Sequence, residues 1–252
     1  MLKTRIIPTL LFKEMGLVKG RQFDSWRRVG SAMQAVKVYN MRQVDELVFL
    51  DITASLRGQS PDLQTVDELA DDCFMPMTVG GGVRSIEDVR NLLKVGADKV
   101  AINTAAVNDP DLISQAANRF GAQCIVVSID AKRKPDGTYE VYTHSGTRPT
   151  GLTPLELAQR AQAAGAGEIL LTSIDRDGTL EGYDLDLIKQ ISSRLTIPVI
   201  ASGGASSYED MYQAISQSGA SAVAAASIFH FTQQTPLEAK RYLHQRGIPT
   251  RL

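Results

Sequence analysis

The segment MTVGGGVRSIEDVRNLLKVGADKVAINT, residues 77–104, contains the pattern that decides the fold. A short apolar run ends in three glycines, an amphipathic stretch follows over Ser85–Val95, and a second apolar run comes after Gly96-Ala97. Apolar residues at helical spacing between two short apolar runs are typical of two parallel strands joined by a helix. The same alternation recurs in both directions along the chain.

Eight short apolar runs predict strands, and helical patterns such as Pro154–Ala164 lie between most of them. The predicted strands are Arg5–Leu11, Glu46–Asp51, Met75–Val79, Asp98–Asn103, Cys124–Asp130, Glu168–Thr172, Pro198–Ser202 and Ala222–Ser227. Eight strand–helix units within 252 residues are typical of the α/β class and of one (β/α)8 TIM barrel. A doubly wound open sheet is the alternative, but no G-x-G-x-x-G follows the first strand. Because we find no linker or low-complexity segment, we expect residues 1–252 to form a single barrel domain.

An internal repeat divides the chain into two similar parts. Gly81-Gly82-x-x-Ser85-x-Glu87-Asp88 recurs 122 positions later as Gly203-Gly204-x-x-Ser207-x-Glu209-Asp210. Glu46-Leu47-Val48 and Glu168-Ile169-Leu170 are separated by the same distance. The repeat predicts a barrel built of two similar half-barrels.

The composition excludes several classes of protein. Lys and Arg number 27 against 28 Asp and Glu, so no basic field indicates a nucleic acid or an anionic membrane as partner. Apolar runs such as Ala222–Phe229 are far shorter than the ~20 residues that span a bilayer, and the start of the chain lacks the features of a signal peptide. Cys73 and Cys124 have no metal-type spacing. We therefore expect a cytoplasmic protein with no metal or cofactor.

The two glycine turns are candidate anion sites. Each ends a strand, and glycine allows backbone N–H groups to approach an anion while a following helix N-terminus adds partial positive charge. The next strand in each half ends in Asn103-Thr104 or Ala226-Ser227, whose small polar groups could bind the same anion. Ordinary tight turns with helix caps are the alternative. Two such sites across a barrel mouth predict a ligand with a phosphate at each end.

Charged residues mark both ends of the predicted barrel. Four carboxylates at or after strand ends could act as acid or base, or could cap helices and brace loops; they are Asp51, Asp130, Asp175 and Asp177. Asp130 is favoured because it directly ends the apolar run CIVVSI. At the opposite strand ends, two bases and two acids could form a ring of ion pairs that is structural or functional; they are Arg5, Glu46, Lys99 and Glu168.

The segment Lys13–Gly30 is long for a loop that joins a strand to a helix. It carries five Lys or Arg residues and the only tryptophan, Trp26. Such a loop could be a mobile lid over an anionic ligand or a solvated surface loop.

Several blocks together resemble the HisF family, the cyclase subunit of imidazole glycerol phosphate synthase. They are ELVFLDITAS, TVGGGVRSIEDVR, GADKVAINTAAV, SIDAKR, GAGEILLTSIDRDGT, GYDLDLI and PVIASGGA, and the resemblance extends from Arg5 to Leu252. It implies a barrel of two half-barrels with a two-phosphate ligand across its mouth. It also implies a class I, HisH-like glutaminase docked as a heterodimer at the bottom, whose ammonia travels through the barrel interior.

The resemblance also implies roles for individual residues. One phosphate would bind at Gly82, Asn103 and Thr104, and the other at Gly204, Ala226 and Ser227. Arg5, Glu46, Lys99 and Glu168 match the ammonia gate, and Asp98 falls at the edge of the glutaminase-docking face. Lys19 matches the lysine of the mobile first loop, Asp177 an active-site carboxylate, and Asp130 one of two catalytic aspartates.

The chain departs from the family at the second catalytic aspartate. Leu11 stands at that position in IIPTLLFKEMGLVKG, and the internal repeat likewise sets Leu11 opposite Asp130. A leucine cannot transfer a proton, and loss of an acid or base typically lowers a rate ~10²–10⁴-fold. The start of the chain, CFMP at Cys73–Pro76 and EVYTHSGT at Glu140–Thr147 resemble HisF-like paralogues that support amidation of surface-polysaccharide sugars.

Three functions are compatible with the sequence. The first, which the departure at Leu11 favours, is a paralogue that takes ammonia from a glutaminase for sugar amidation. The second is an active cyclase of histidine biosynthesis, a lyase-type reaction on the bisphosphate ribulosyl aminoimidazole intermediate. The third is a non-enzymatic, ligand-responsive activator of the glutaminase.

Overall fold

Eight parallel strands close into a barrel in the computed structural model, which describes residues 3–14 and 16–252. The barrel strands are β1 (Arg5–Lys13), β4 (Leu47–Asp51), β5 (Met77–Gly80), β6 (Lys99–Ile102), β7 (Ile125–Arg133), β10 (Glu168–Ser173), β11 (Val199–Ser202) and β12 (Ala222–Ala225). They neighbour one another in the order β10-β11-β12-β1-β4-β5-β6-β7, and pairing of β10 with β7 closes the barrel. The predicted (β/α)8 TIM barrel is confirmed.

Helices cover the outside of the barrel. They are α1 (Ala32–Met41), α2 (Ala54–Arg57), α3 (Leu63–Asp72), α4 (Ile86–Lys94), α5 (Thr104–Asn108), α6 (Asp111–Phe120), α7 (Pro154–Ala163), α8 (Leu185–Ser192), α9 (Tyr208–Ser216), α10 (Ser227–Phe231) and α11 (Pro236–Gln245), with a 3-10 turn at Ala122–Cys124. No helix in the described ranges is long and apolar enough to cross a membrane. Cys73 and Cys124 are free thiols.

The repeat appears as equivalent local structure in the two halves. The serine before α4, Ser85, accepts a hydrogen bond from the Asp88 N–H, and Ser207 before α9 accepts one from the Asp210 N–H. Such a serine cap satisfies a free N–H of the first helical turn. Both serines have nearly the same extended backbone angles, φ −145° and −146°. The 122-residue offset therefore corresponds to two strand–turn–helix units of the same geometry.

The first strand of each half carries an antiparallel extension. β2 (Gly16–Arg21) pairs with β1 and with β3 (Asp24–Gly30), and β8 (Tyr139–Thr143) pairs with β7 and with β9 (Arg148–Pro149). The expectation of a loop over Lys13–Gly30 is thus wrong for most of its length, although Met15 lies outside the described residues. β3 is mostly exposed and polar, so it lacks the apolar alternation that predicts a strand.

Two separate layers of apolar side chains hold the barrel together. The larger layer lies between strands and helices, and a smaller cluster fills the barrel interior. The interior cluster consists of Ile7, Val48, Ala101, Val126, Leu170, Ile200, Ala222 and Ala224. Burial on both faces explains why the barrel strands read as continuous apolar runs in the sequence.

Candidate active site

One large cavity opens at the carboxyl ends of the barrel strands. It encloses about 1140 Å³, including the space at its opening. β5 and β11 lie four strands apart in the ring of eight, as do β6 and β12, and β1 and β7. Elements from opposite sides of the barrel therefore face each other across this mouth.

All six residues predicted to bind phosphate line the mouth, namely Gly82, Asn103, Thr104, Gly204, Ala226 and Ser227. Because β5 and β6 are neighbours, as are β11 and β12, the six form two groups on opposite sides. Gly82 and Gly204 have φ of 74° and 104°, which favours glycine. A side chain on Gly204 would overlap the Gly182 carbonyl, so the turn also needs glycine for packing.

The helices after the glycine turns have part of their first turn occupied by side-chain caps. Those helices, α4 and α9, are already capped by Ser85 and Ser207. The helices that begin in the mouth are α5 and α10, whose first residues Thr104 and Ser227 line the cavity, and neither has a side-chain cap. An uncapped helix start leaves N–H groups available to an anion.

Asp130 lies in the mouth with its carboxyl group almost fully removed from water. The residue is 9 % exposed, and its Oδ2 accepts a hydrogen bond from Asn103 Nδ2 at 3.1 Å. Burial, helped by the negative charge of Asp177, raises the pKa of Asp130 to about 7. A carboxyl group with a pKa near neutrality can both give and take a proton at physiological pH, as acid–base catalysis requires. Asn103 thus positions Asp130 as well as lining the predicted phosphate site.

Lys19 and Asp177 form a buried ion pair across the mouth. Lys19 Nζ lies 2.6 Å from Asp177 Oδ2, and both residues line the cavity. Lys19 belongs to the β2–β3 hairpin, and the Gln22 N–H of the hairpin turn donates to the Asp177 carbonyl at 2.7 Å. The hairpin is therefore folded against the loop that follows β10.

Leu11 occupies the mouth opposite Asp130. It lies on β1 and is in register with Leu50 of β4, and both leucines line the cavity. The rim thus has a carboxyl group on the β7 side and an apolar surface on the β1 side. The sequence expectation that Leu11 faces Asp130 agrees with this arrangement.

The other two carboxylates at the mouth brace loops. Asp51 Oδ1 accepts hydrogen bonds from the Thr53 N–H and hydroxyl, both at 2.8 Å, and from the Ala54 N–H at 3.1 Å. Asp175 Oδ2 accepts from the Arg133 N–H at 2.7 Å. Asp51 therefore acts as a cap and Asp175 as a loop brace, which is the alternative to an acid–base role for these carboxylates.

The four charged residues at the opposite end form a closed ring. Arg5 Nη1 lies 2.6 Å from Glu46 Oε2, and Arg5 Nη2 lies 2.9 Å from Glu168 Oε1. Lys99 Nζ lies 3.0 Å from Glu46 Oε2 and 3.1 Å from Glu168 Oε2. Asp98, next to this ring, accepts a hydrogen bond from the Met77 N–H at 2.8 Å. Each acid contacts both bases, so the ring covers the bottom of the barrel interior.

The β8–β9 turn also lines the mouth, a contribution that no sequence pattern predicted. Ser145 lines the cavity, and its hydroxyl donates to the Ile52 carbonyl at 2.6 Å. The His144 N–H donates to the Thr104 hydroxyl at 3.2 Å. Ser-Gly at 145–146 is a turn signal, but the tertiary fold alone brings this turn over β4 and β6.

In the part of the chain that the structure describes, no group of three or more His, Cys, Asp or Glu side chains is arranged to hold a metal ion. Asp130 and the Lys19–Asp177 pair are the buried ionisable groups that face the cavity.

Comparisons with known proteins relate the chain to proteins of histidine biosynthesis. The family described as "Histidine biosynthesis protein" matches residues 5–235. The chain is 52% identical to a protein of Dehalococcoides mccartyi named "Imidazole glycerol phosphate synthase subunit HisF", over 100% of this chain and 99% of that protein. It is 53% identical to a protein of Hyphomonas neptunium with the same name, over the same shares of the two chains.

Proposed function

Because the chain belongs to the histidine biosynthesis protein family, we propose that it is a HisF-type subunit of an imidazole glycerol phosphate synthase. In this proposal the mouth binds the bisphosphate ribulosyl aminoimidazole intermediate, and ammonia arrives from a HisH-like glutaminase at the opposite end. The names of both relatives, which match over nearly their full length, support it. The main support for this function is the arrangement of the mouth. Two groups of glycine and small residues face each other across it, each a candidate phosphate site, and Asp130 lies on the rim between them.

Asp130 would move the proton in the proposed reaction. β7 lies between the β5–β6 side and the β11–β12 side of the ring, so Asp130 is next to the middle of a ligand held at both ends. Its pKa of about 7 suits either direction of transfer. Lys19 and Asp177 would close the mouth over the ligand, since their 2.6 Å contact joins the hairpin to the β10 loop.

The barrel interior would carry ammonia between the two ends. Its apolar cluster suits a small neutral molecule and disfavours ammonium ion, and the buried hydroxyl groups of Thr9, Ser128 and Thr172 lie between this cluster and the mouth. At the entrance, the ring of Arg5, Glu46, Lys99 and Glu168 would act as the gate, because at least one of its ion pairs must open to admit a molecule.

Leu11 favours a second candidate function. Leu11, beside Leu50, places an apolar side chain where the family resemblance implies the second catalytic carboxyl group. A barrel with one acid–base group could keep ammonia transfer and lose cyclisation. It would then be the paralogue that supports amidation of a surface-polysaccharide sugar, together with a glutaminase and a separate sugar amidotransferase.

A cyclase assay with ammonium salt distinguishes these functions, because it needs no glutaminase. The purified barrel is given the bisphosphate intermediate, and substrate loss and intermediate binding are measured for the wild type and for Asp130→Asn, Leu11→Asp and Leu11→Asn. For a cyclase we expect wild-type turnover that falls ~10²–10⁴-fold in Asp130→Asn.

The Leu11 variants test the mouth directly. If the rest of the pocket is that of a cyclase, Leu11→Asp raises turnover and Leu11→Asn, which has similar size but no titratable proton, does not. Binding of the intermediate without turnover in any variant would refute the cyclase proposal and leave ammonia delivery or activation of the glutaminase.

A further inference from the structure

One buried hydroxyl group that faces the mouth has no hydrogen-bond partner among the described residues. It belongs to Thr9 of β1, which is 8 % exposed and lines the cavity. Leaving a buried polar group without a partner is costly, and native proteins usually complete such a group with ordered water or a ligand. The Thr9 hydroxyl therefore indicates a site for a small polar molecule at the floor of the mouth.

Strand alternation places Thr9 directly above the apolar interior of the barrel. Every second residue of a strand points to the same face. From the bottom upward, the inner face of β1 carries Arg5 of the ion-pair ring, Ile7 of the interior cluster, Thr9 and Leu11. A molecule that moves up the interior along β1 therefore meets the Thr9 hydroxyl before it reaches Leu11.

Two other buried hydroxyl groups follow the interior cluster on β7 and β10. Ser128 comes two residues after Val126, and Thr172 comes two residues after Leu170. Both hydroxyl residues line the cavity, and Thr172 is in register with Asp130 on the neighbouring strand. Since β1 lies across the ring from β7, these two hydroxyls face the β1 side of the floor, where Thr9 lies.

We propose that Thr9, Ser128 and Thr172, here called the hydroxyl belt, bind ammonia where it leaves the apolar interior and hold it beside Asp130. This inference rests on the proposed function, which brings ammonia up the barrel. A hydroxyl group can accept a hydrogen bond from an N–H of ammonia or donate one to its lone pair, so a few hydroxyls suffice to replace its hydration.

The place of the hydroxyl belt favours ammonia as its ligand. The candidate phosphate sites lie at the rim, on the glycine turns and the starts of α5 and α10. The belt instead lies at the end of the apolar interior, which would deliver a small neutral molecule. A ligand held at the rim by its two phosphates leaves the floor to a smaller one.

The first test measures ammonium-dependent turnover of the purified barrel at saturating bisphosphate intermediate. Thr9→Val keeps the shape of the side chain and removes one hydrogen bond, so the KM for ammonia should rise roughly twofold to tenfold. The KM for the bisphosphate should not change, and Thr9→Ser, which keeps the hydroxyl, should retain the wild-type KM for ammonia. Ser173→Ala is the matched control, because the Ser173 hydroxyl is also buried without a described partner but does not line the cavity.

A second test needs no turnover. Crystals of the wild type and of Thr9→Val are soaked in methylamine, whose carbon atom distinguishes it from water in the electron density. We expect methylamine nitrogen within hydrogen-bond distance of Thr9 Oγ1 in the wild type and its loss in Thr9→Val.

The outcomes separate the two proposals. If the wild type turns over and Thr9→Val has the same KM for ammonia, the hydroxyl belt is refuted while the cyclase proposal stands. If methylamine binds at Thr9 in a wild type that does not turn over, the cyclase proposal fails while the amine site stands. Water alone at Thr9 after the soak would overturn the inference.

Discussion

The replacement Asp130→Asn should stabilise the protein at high pH while it removes the proposed acid–base group. The Asp130 carboxyl group is buried, and its pKa rises from 3.8 to about 7 on folding. At pH 8 such a rise lowers the free energy of unfolding by up to about 4 kcal/mol, because each tenfold change in the acid dissociation constant is about 1.4 kcal/mol. Asparagine keeps an oxygen that can accept from Asn103 and carries no charge to bury.

The sign of the pH dependence follows from proton binding. Between pH 3.8 and about 7 the folded protein holds a proton on Asp130 that the unfolded chain has released. The contribution of Asp130 to the free energy of unfolding therefore decreases as the pH rises through this window, and it is constant above it. The stability of Asp130→Asn relative to wild type should grow by about 3–4 kcal/mol between pH 4 and pH 8.

Urea unfolding of both proteins at several pH values from 4 to 8 measures this difference. Asp175→Asn is the control, because Asp175 is at the same rim but its carboxylate accepts the Arg133 N–H, so its replacement should give no gain at pH 8. A stability difference between Asp130→Asn and wild type that stays constant, or shrinks, as the pH rises would show that burial does not raise this pKa. The acid–base argument would then lose its physical basis.

Two further predictions concern a buried charge and the closed mouth. Lys240 is 2 % exposed, and its Nζ lies 2.9 Å from Asp45 Oδ1, so Lys240→Ala should lower the free energy of unfolding by about 3–5 kcal/mol. In the same urea titration the control Lys37→Ala, which breaks an exposed ion pair, should lower it by less than about 1 kcal/mol. Equal losses would contradict this reasoning. Trp26 is the only tryptophan and lines the mouth, so inorganic phosphate should change its fluorescence saturably. Thr104→Glu, which puts a negative charge at one of the two candidate phosphate sites, should weaken that response. A non-saturable change, or one that Thr104→Glu leaves unaltered, would place the phosphate elsewhere.

The barrel strands were predictable because each is a local pattern. β1, β10 and β12 begin at the predicted residues, and all eight barrel strands overlap their predicted ranges with no end shifted by more than three residues. Helix α4 occupies Ile86–Lys94, inside the predicted Ser85–Val95, since its serine cap is itself a sequence signal. The β2–β3 hairpin was not predictable in this way, because β3 has no apolar alternation of its own and is stabilised by pairing with β2, which in turn pairs with β1.

The sequence by itself determined which residue types reach each end of the barrel. Strand period and chain order assign Arg5, Glu46, Lys99 and Glu168 to one end and the glycines and carboxylates to the other. What it left open is what each side chain contacts. Only the tertiary structure separates Asp130, buried and held by Asn103, from Asp51, whose carboxylate caps the turn into α2. The physical reason is that burial and hydrogen bonding depend on residues distant in the chain, and these set the pKa and the role of a carboxyl group.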